Sequence, residues 1–385
     1  MPRTVLLLHS SAGLYGADVQ LAAIVRGLDP GRWRAVCVLP ERGRLAPLLE
    51  QAGAEVVVHP LAVVRRALAT PAGALGLARA VRTDRRVLGK LARERDVAVV
   101  HDNTSVVLGG DRVARAAGAA HVVHVREIWT GGGLVERALW PLMRRRLLGA
   151  DALLGISRAV CDQFPPEAAV LLRDGLPRGP VAVEKAGARR SLGLPADRFT
   201  VALVGRISHW KGHEVLVAAL AEHDLAKIGA VGLVAGDELA GSGAEARLDV
   251  LAGQLGVRDR LVRLGFREDV ETVLGAADAL VVPSTRPEPL GLVALEAGAA
   301  GLPVVASAAG GVAEVVRDGV SGLLVPPGDA PALARALARL AADPEAAARM
   351  GRAGAGIVAA EHAPEHMAGQ LQRVWGALAP RAGGP

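Results

Sequence analysis

Short apolar runs alternate with helix-like stretches from one end of this 385-residue chain to the other. No other feature narrows the fold as much. Runs of this length, bounded by Gly, Pro and charged residues, read as strands covered on both faces. Such strands belong to parallel sheets with crossover helices. The strand candidates are 5–9, 35–39, 55–59, 97–101, 121–125, 152–156 and 170–173 in the first half. In the second half they are 200–204, 230–235, 261–264, 279–283, 303–306 and 322–325. Helical patterns fall near 212–222, 243–255, 291–299, 331–342, 344–361 and 365–378. A stretch at 175–193 holds Pro, Gly and few large apolar residues, and the domain boundary is placed there. The spacing predicts an α/β chain of two domains, 1–178 and 179–362. A last segment, 363–385, is a helix with a Gly/Pro tail expected to be disordered.

The length exceeds one ordinary core, and 51% hydrophobic residues suffice for two. No apolar run reaches the roughly 18–20 residues of a membrane span. The opening run at 4–8 is too short for a signal peptide core, so we expect a cytoplasmic protein. Cys37 and Cys161 give neither a disulfide framework nor metal spacing. The net charge of +6 is uneven. Residues 1–175 carry 24 basic and 16 acidic side chains, hence +8; residues 176–385 carry 21 and 23, hence −2. A basic half suits an anionic substrate or peripheral contact with an anionic membrane. Nucleic acid is excluded as a partner, because stacking aromatics are scarce and no recognition motif appears. Only four of the 45 basic residues are Lys, and Asn103 and Tyr15 are each the one residue of their type. Those survivors of a compositional bias draw attention.

In open parallel sheets, ligands bind beyond the carboxyl ends of the strands. The stretch Arg286 to Glu296 follows one such end. Pro287 and Pro289 forbid a helix before about Gly291, and good helix formers follow. A helix start offers amide N–H groups and a positive dipole end to phosphate. Gly291 lets a ligand approach the backbone. Glu296 can accept bonds from the two hydroxyls of a ribose, and Glu288, on the loop, from those of a second sugar. Two solvated glutamates are the plainer alternative; the prolines and glycine between them favour a nucleotide-sugar clamp. After the 200–204 strand come Gly205, Arg206, Lys211 and Gly212, a planar fork and a point charge for a diphosphate. No Asp-x-Asp and no His/Cys cluster calls for a metal.

In the first half, Gly13 and Gly16 flank Tyr15 on a turn that leads into a helix. This is not Gly-x-Gly-x-x-Gly, so a nicotinamide fingerprint is not met. Asp102, Asn103 and Ser105 follow the fourth strand; Asp102 or Ser105 could simply cap the next helix. His124 and Arg126 alternate on one face at the end of the fifth strand. A histidine there is either structural or a partner for a sugar hydroxyl or a transition state. Gly310 and Gly311 are either a tight turn or a close backbone approach. A helix at 134–148 carries Trp140 and Arg144 to Arg146, either a solvated face or a membrane-surface helix.

Taken together, these residues resemble the retaining glycosyltransferases of family 4. The similarity covers nearly the whole chain and is densest in Gly205-Arg206…Lys211-Gly212 and Glu288-Pro289-Leu290-Gly291…Glu296. Leu264 to Arg267, Gly310-Gly311, Gly13 to Ala17, Asn103-Thr104, His124 to Glu127 and Ile156-Ser157 also fit. The resemblance implies the GT-B fold, two Rossmann-like parallel-sheet domains facing a central cleft, with the last helix crossing back onto the first domain. It implies a donor site in 179–362 and an acceptor site in 1–178. Arg206 and Lys211 would bind the diphosphate, Glu296 the ribose and Glu288 the donor sugar. Leu290, Gly291 and Leu292 would complete the clamp, with Arg267 beside the nucleobase and Gly13 and Gly16 closing on the donor. His124 would sit near the anomeric centre, and Tyr15, Asn103 and Arg126 would meet the acceptor. The chain departs from the family's common Gly-Asp-Gly at Gly236-Asp237-Glu238, and from its Asn-Gly at Asp174-Gly175.

The expected activity is transfer of a sugar from a UDP- or GDP-sugar to a hydroxyl or amine of a small molecule, glycan or natural product. Anomeric configuration is retained, and neither a metal nor a cofactor beyond the co-substrate is needed. The rivals are a nucleotide-sugar epimerase or hydrolase of the same fold, a membrane-surface transferase with a lipid-linked acceptor, and a non-catalytic binding module.

Overall fold

The computed structural model of the chain describes residues 1–64, 71–130, 134–177, 179, 181, 183–238 and 241–379. The tail beyond 379, expected to be disordered, lies outside them. Two compact units form: Met1–Pro177 with Ala363–Pro385, and Arg178–His362.

The first unit runs β1 (Arg3–Leu8), α1 (Gly16–Arg26), β2 (Trp33–Leu39), α2 (Leu45–Gln51), β3 (Glu55–Val58), α3 (Pro71–Glu94) and β4 (Val97–Asp102). It continues α4 (Gly110–Ala117), β5 (Ala120–Val125), α5 (Leu134–Leu147), β6 (Ala152–Gly155), α6 (Arg158–Cys161) and β7 (Val170–Leu171). All pairings are parallel, in the order β3-β2-β1-β4-β5-β6-β7. The strands alternate as a sheet covered on both faces demands. Val5 and Leu7 enter the core under α1 and α2, whereas Leu6 and Leu8 enter the core under α3 and α4.

In the second unit α7 (Lys185–Ser191), β8 (Thr200–Val204), α8 (His213–Ala221), α9 (His223–Lys227), β9 (Val231–Ala235) and α10 (Ala244–Gln254) come first. Then follow β10 (Leu261–Arg263), α11 (Val270–Ala276), β11 (Ala279–Val282), α12 (Leu292–Ala299), β12 (Val304–Ser307), α13 (Val312–Val315) and β13 (Gly322–Val325). The unit closes with α14 (Ala330–Ala342) and α15 (Pro344–Glu361). Its parallel sheet has the order β10-β9-β8-β11-β12-β13. Asp329 caps α14 through the Ala332 amide, and Asp343 caps α15 through Ala346, each with proline in the first turn. The last helix, α16 (Pro364–Leu378), packs in the first unit, where Met367, Leu371 and Trp375 join the core beneath α1.

Part of the soft stretch 175–193 is helical. Glu184 caps α7 by accepting from the amides of Ala186 (2.8 Å) and Gly187 (2.5 Å). Arg189, on that helix, is buried and donates to Asp278 (2.6 Å) and to the Ala276 carbonyl (2.9 Å). A single polar face tied down by hydrogen bonds leaves no apolar period for a sequence to show.

Candidate functional site

Each sheet has a point where the strand order reverses, and there the loops of two neighbouring strands diverge and leave room for a ligand. In the second unit this point lies between β8 and β11. The loop after β8 carries Arg206 and Lys211; the loop after β11 carries Ser284 and Glu288. Lys211 Nζ donates to both carboxylate oxygens of Glu288, at 2.9 and 2.8 Å. Ser284 Oγ donates to Glu288 Oε2 at 3.0 Å. Lys211 also lies over the Trp210 ring, 4.4 Å from its centroid, a favourable place for an ammonium. Residues 77 positions apart are thus joined in one polar cluster, with Glu288 buried and Lys211 half-buried.

The backbone around the cluster is held at close quarters. Gly212 has φ 77° and precedes α8; a Cβ there would run into the Pro283 carbonyl. The Thr285 amide donates to the Trp210 carbonyl at 2.8 Å, fastening the two loops together. On its other side, Glu288 exchanges backbone bonds with the turn after β12: its amide donates to Ala309 O (3.3 Å) and its carbonyl accepts from Gly311 N (2.6 Å). Gly310 and Gly311 therefore form a close backbone approach, to Glu288 itself. Gly291, at φ 82°, turns the chain into α12, and the Pro-rich segment before it is non-helical. Leu290 is buried beneath this turn, Leu292 opens the helix, and Glu296 is half-buried in its second turn. Arg206 is half-buried in the first loop.

The neighbouring loops complete this end of the sheet. Asp237, after β9, accepts from the Phe266 amide at 2.7 Å, and Gly236 N donates to Gly265 O at 2.7 Å. The Arg267 side chain pairs with Asp269 at 2.6 Å. The departure at Glu238 has a local reason. Its carboxylate accepts from Ser242 Oγ (3.0 Å) and from the Glu245 amide (2.9 Å) in the first turn of α10. His213, the first residue of α8, is buried; burial and then the charge of Lys211 push its imidazole down to about 4, opposed by the Gly205 backbone. Sequence reasoning missed Ser284 and His213, which carry no motif of their own; Ser284 meets Glu288 only because the loop after β11 brings them together. Asp237 drew notice only as the middle of the departure at Glu238, not for its bond to the Phe266 amide.

In the first unit the reversal lies between β1 and β4. Asn103, after β4, is fully buried; its Nδ2 donates to His9 Nδ1 at 3.1 Å and approaches Ala17 O at 3.4 Å. His9 Nε2 then faces Asp18 Oδ1 at 2.7 Å. Asp18 also accepts from Ser11 Oγ and, at 2.8 Å, from the Tyr15 amide. Burial works to raise the Asp18 carboxyl, but the bond and charge of His9, with Ser11 and Tyr15, hold it below its ordinary value. The Gly13–Gly16 turn is thus organised by Asp18, with Gly13 half-buried and Gly16 exposed.

His124 lies in β5 and Arg126 directly follows the strand, and both are buried. Arg126 Nη1 pairs with Asp174, Nε donates to Asn103 O (3.1 Å), and Nη2 donates to His124 Nδ1 (3.3 Å). The Asp174 departure therefore supplies a counter-charge for Arg126. Burial, then Arg126 and His101, push His124 well below the usual histidine range, against the Leu172 backbone. Of the residues expected to meet an acceptor, Asn103 and Arg126 hold the interior together, and Tyr15 is the N-cap residue of α1, its amide donating to Asp18. On α5 the arginines do not act as one face. Arg146 donates to Val107 O (2.7 Å) and Asp102 (3.3 Å), while Trp140 stacks on Trp129 with centroids 6.4 Å apart. Among the described residues no three His, Cys, Asp or Glu side chains are grouped to hold a metal ion.

A family model described as "Glycosyl transferases group 1" matches residues 184–356, the segment that contains Arg206, Lys211, Glu288 and Glu296. The chain is 44% identical over 163 residues to a D-inositol 3-phosphate glycosyltransferase of Salinispora arenicola, covering 40% of this chain and 36% of that protein. It is 38% identical over 166 residues to an uncharacterized glycosyltransferase of Methanocaldococcus jannaschii, covering 42% and 40%. The chain thus spans well under half the length of the curated relatives it matches. Among solved structures, Anabaena HepE in complex with UDP and glucose superposes with TM-score 0.81, at 25% identity over 97% of this chain and 99% of that one. Sucrose-phosphate synthase from Thermosynechococcus elongatus gives TM-score 0.81 at 23% identity, over 98% and 99%. Two parallel-sheet α/β units of the GT-B kind are therefore the fold of this chain.

Proposed function

We propose that this chain is a retaining group 1 glycosyltransferase that moves a sugar from a nucleoside-diphosphate sugar to an acceptor hydroxyl or amine. One observation carries the reading: Lys211 and Glu288 join at the reversal point of the second sheet, inside the segment that the family model matches. An ammonium beside a carboxylate serves a substrate that is anionic at one end and rich in hydroxyls at the other. A diphosphate takes the charge of Lys211 and the fork of Arg206, and a sugar hydroxyl takes Glu288. Glu296 accepts from the ribose, and Leu290, Gly291 and Leu292 line the clamp. The backbone at Arg267, steadied by Asp237, borders the base. Residues 179–362 take the donor and 1–178 the acceptor. The leaving diphosphate is neutralised by side chains, so no metal takes part.

UDP-glucose is the first donor to test, because HepE binds UDP and glucose. Losing one charged hydrogen-bond partner costs roughly 1.5–3 kcal/mol, or about 10- to 150-fold in rate. Lys211→Ala and Glu296→Ala should each lose at least tenfold in transfer while staying folded. Product anomers read by NMR, with and without acceptor, check retention and separate transfer from donor hydrolysis or epimerisation. Wild-type turnover by both folded variants would refute the assignment.

A further inference from the structure

With six basic and two acidic side chains, α3 carries +4 of the +8 of residues 1–175. Its buried side, Val81, Asp84, Leu88 and Ala92, faces the core shared with α4. Asp84 is held there by His59 (2.8 Å) and the Ala62 amide (2.9 Å), which fixes the helix's rotation. The opposite side carries Arg79, Arg82, Arg86, Lys90 and Arg93, all exposed. Their spacing of three and four residues places them in one row. At 1.5 Å per residue the row is about 21 Å long. Arg85 flanks it, and Glu94 is the one exposed acid of the helix, paired with Lys90 at 3.6 Å. Arg93 bonds the Ala116 carbonyl; among the described residues Arg79, Arg82, Arg85 and Arg86 enter no ion pair. Leu75, 53% exposed, extends the row by one turn, and Val87, 41% exposed, lies beside it.

We propose that this face of α3 docks on the surface of an anionic lipid bilayer. The charge is of the right sign and number, since clusters of four to eight basic residues on a helix bind acidic headgroups at about tenfold or less per residue. Leu75 and Val87 decide between a bilayer and a dissolved polyanion. Apolar side chains among the arginines gain by entering the headgroup boundary, and gain little from a polymer in water. No helix among the described residues is long and apolar enough to cross a membrane, so the contact is peripheral. The helix α5, whose sequence also suggested such a role, is the poorer candidate because Arg146 is committed inward. The proposal is independent of the transferase reading, since lipid binding needs no donor.

The test is sedimentation of the full chain with vesicles of phosphatidylcholine alone or with phosphatidylglycerol, at low and high salt. Binding should require phosphatidylglycerol and weaken with salt. Arg82→Gln/Arg86→Gln/Lys90→Gln should weaken it by about 100-fold, and Leu75→Ser/Val87→Ser by a smaller factor. Arg144→Gln/Arg145→Gln should leave it unchanged. These side chains are exposed or lie outside the α3 core, so unchanged circular dichroism and melting curves confirm folded variants. No sedimentation of the wild type overturns the proposal, as does equal binding by the α3 triple variant. Binding that heparin matches and that Leu75→Ser/Val87→Ser leaves intact overturns the bilayer in favour of a soluble polyanion.

Discussion

Three histidines in the first unit face groups that can only donate. Asn103 Nδ2 meets His9 Nδ1 (3.1 Å), Trp375 Nε1 meets His101 Nδ1 (3.2 Å), and Arg126 Nη2 meets His124 Nδ1 (3.3 Å). Each Nδ1 must therefore be the acceptor, which leaves the proton of the neutral ring on Nε2. His101 packs edge-on against both Trp375 and His124, with centroids 5.5 and 5.7 Å apart, so the last helix supports the ring that supports His124. Little of this was legible in the sequence. Asn103 stood out by rarity, but its partner lies 94 residues away, and only the β1–β4 pairing brings them together. Lys211 and Glu288 were easier to find because glycines and prolines mark their loops. Trp375→Phe keeps the ring contacts and removes the N–H. It leaves His101 Nδ1 buried without its donor, which should cost about 1–3 kcal/mol. In ¹⁵N spectra of histidine-labelled protein His101 should leave its single tautomer while His9 keeps its own. An unmoved His101 signal would mean the indole does not set the tautomer.

At the scale of elements, strands were readable because burial on both faces makes them continuous apolar runs, and their observed ends differ from the expected ones by a residue or two. The long helices showed their period. The short ones, α7, α9 and α11, did not, since five to seven residues contain less than two full turns. The turns that shape the loops around Lys211 and Glu288 depend on positive φ at Gly212 and Gly291, and there glycine is required rather than tolerated. Gly212 and Gly256 have similar φ, 77° and 67°, but only at Gly212 would a Cβ meet backbone, the Pro283 carbonyl. Gly256→Ala should therefore cost only the left-handed penalty, about 1–2 kcal/mol. Gly212→Ala should cost clearly more and also lower transfer activity, because Lys211 would move with the loop. Urea unfolding followed by the fluorescence of Trp210, two residues away, compares the two. Equal costs would show that the Pro283 contact relaxes freely.

At the scale of the whole chain, each unit has its own core and buried histidines held below their ordinary range, His101 and His124 in the first and His213 in the second. Burial, then Arg126 and His121, push His101 down to about 3; burial and Lys211 push His213 down to about 4. In the unfolded chain both titrate near the ordinary value of about 6.5. Above that pH neither state is protonated and the histidines cost nothing. As pH falls through 6.5 the unfolded chain binds the protons first, so stability falls until the folded pKa is reached. At pH 5 the loss is on the order of 2 kcal/mol for each group. Asp84 and Glu127 act in the opposite sense: burial raises both, so their cost is relieved as the pH drops. The two units need not unfold together, and a single transition is not assumed. His101→Asn retains an acceptor near Trp375 and should flatten part of the acid limb of the first unit alone, because His124 remains, and His213→Leu should flatten that of the second alone. Unfolding midpoints between pH 4 and 7, read by Trp210 for the second unit and by the tryptophans 33, 129, 140 and 375 for the first, separate the two. Flattening of both limbs by either substitution would show that the two units unfold as one.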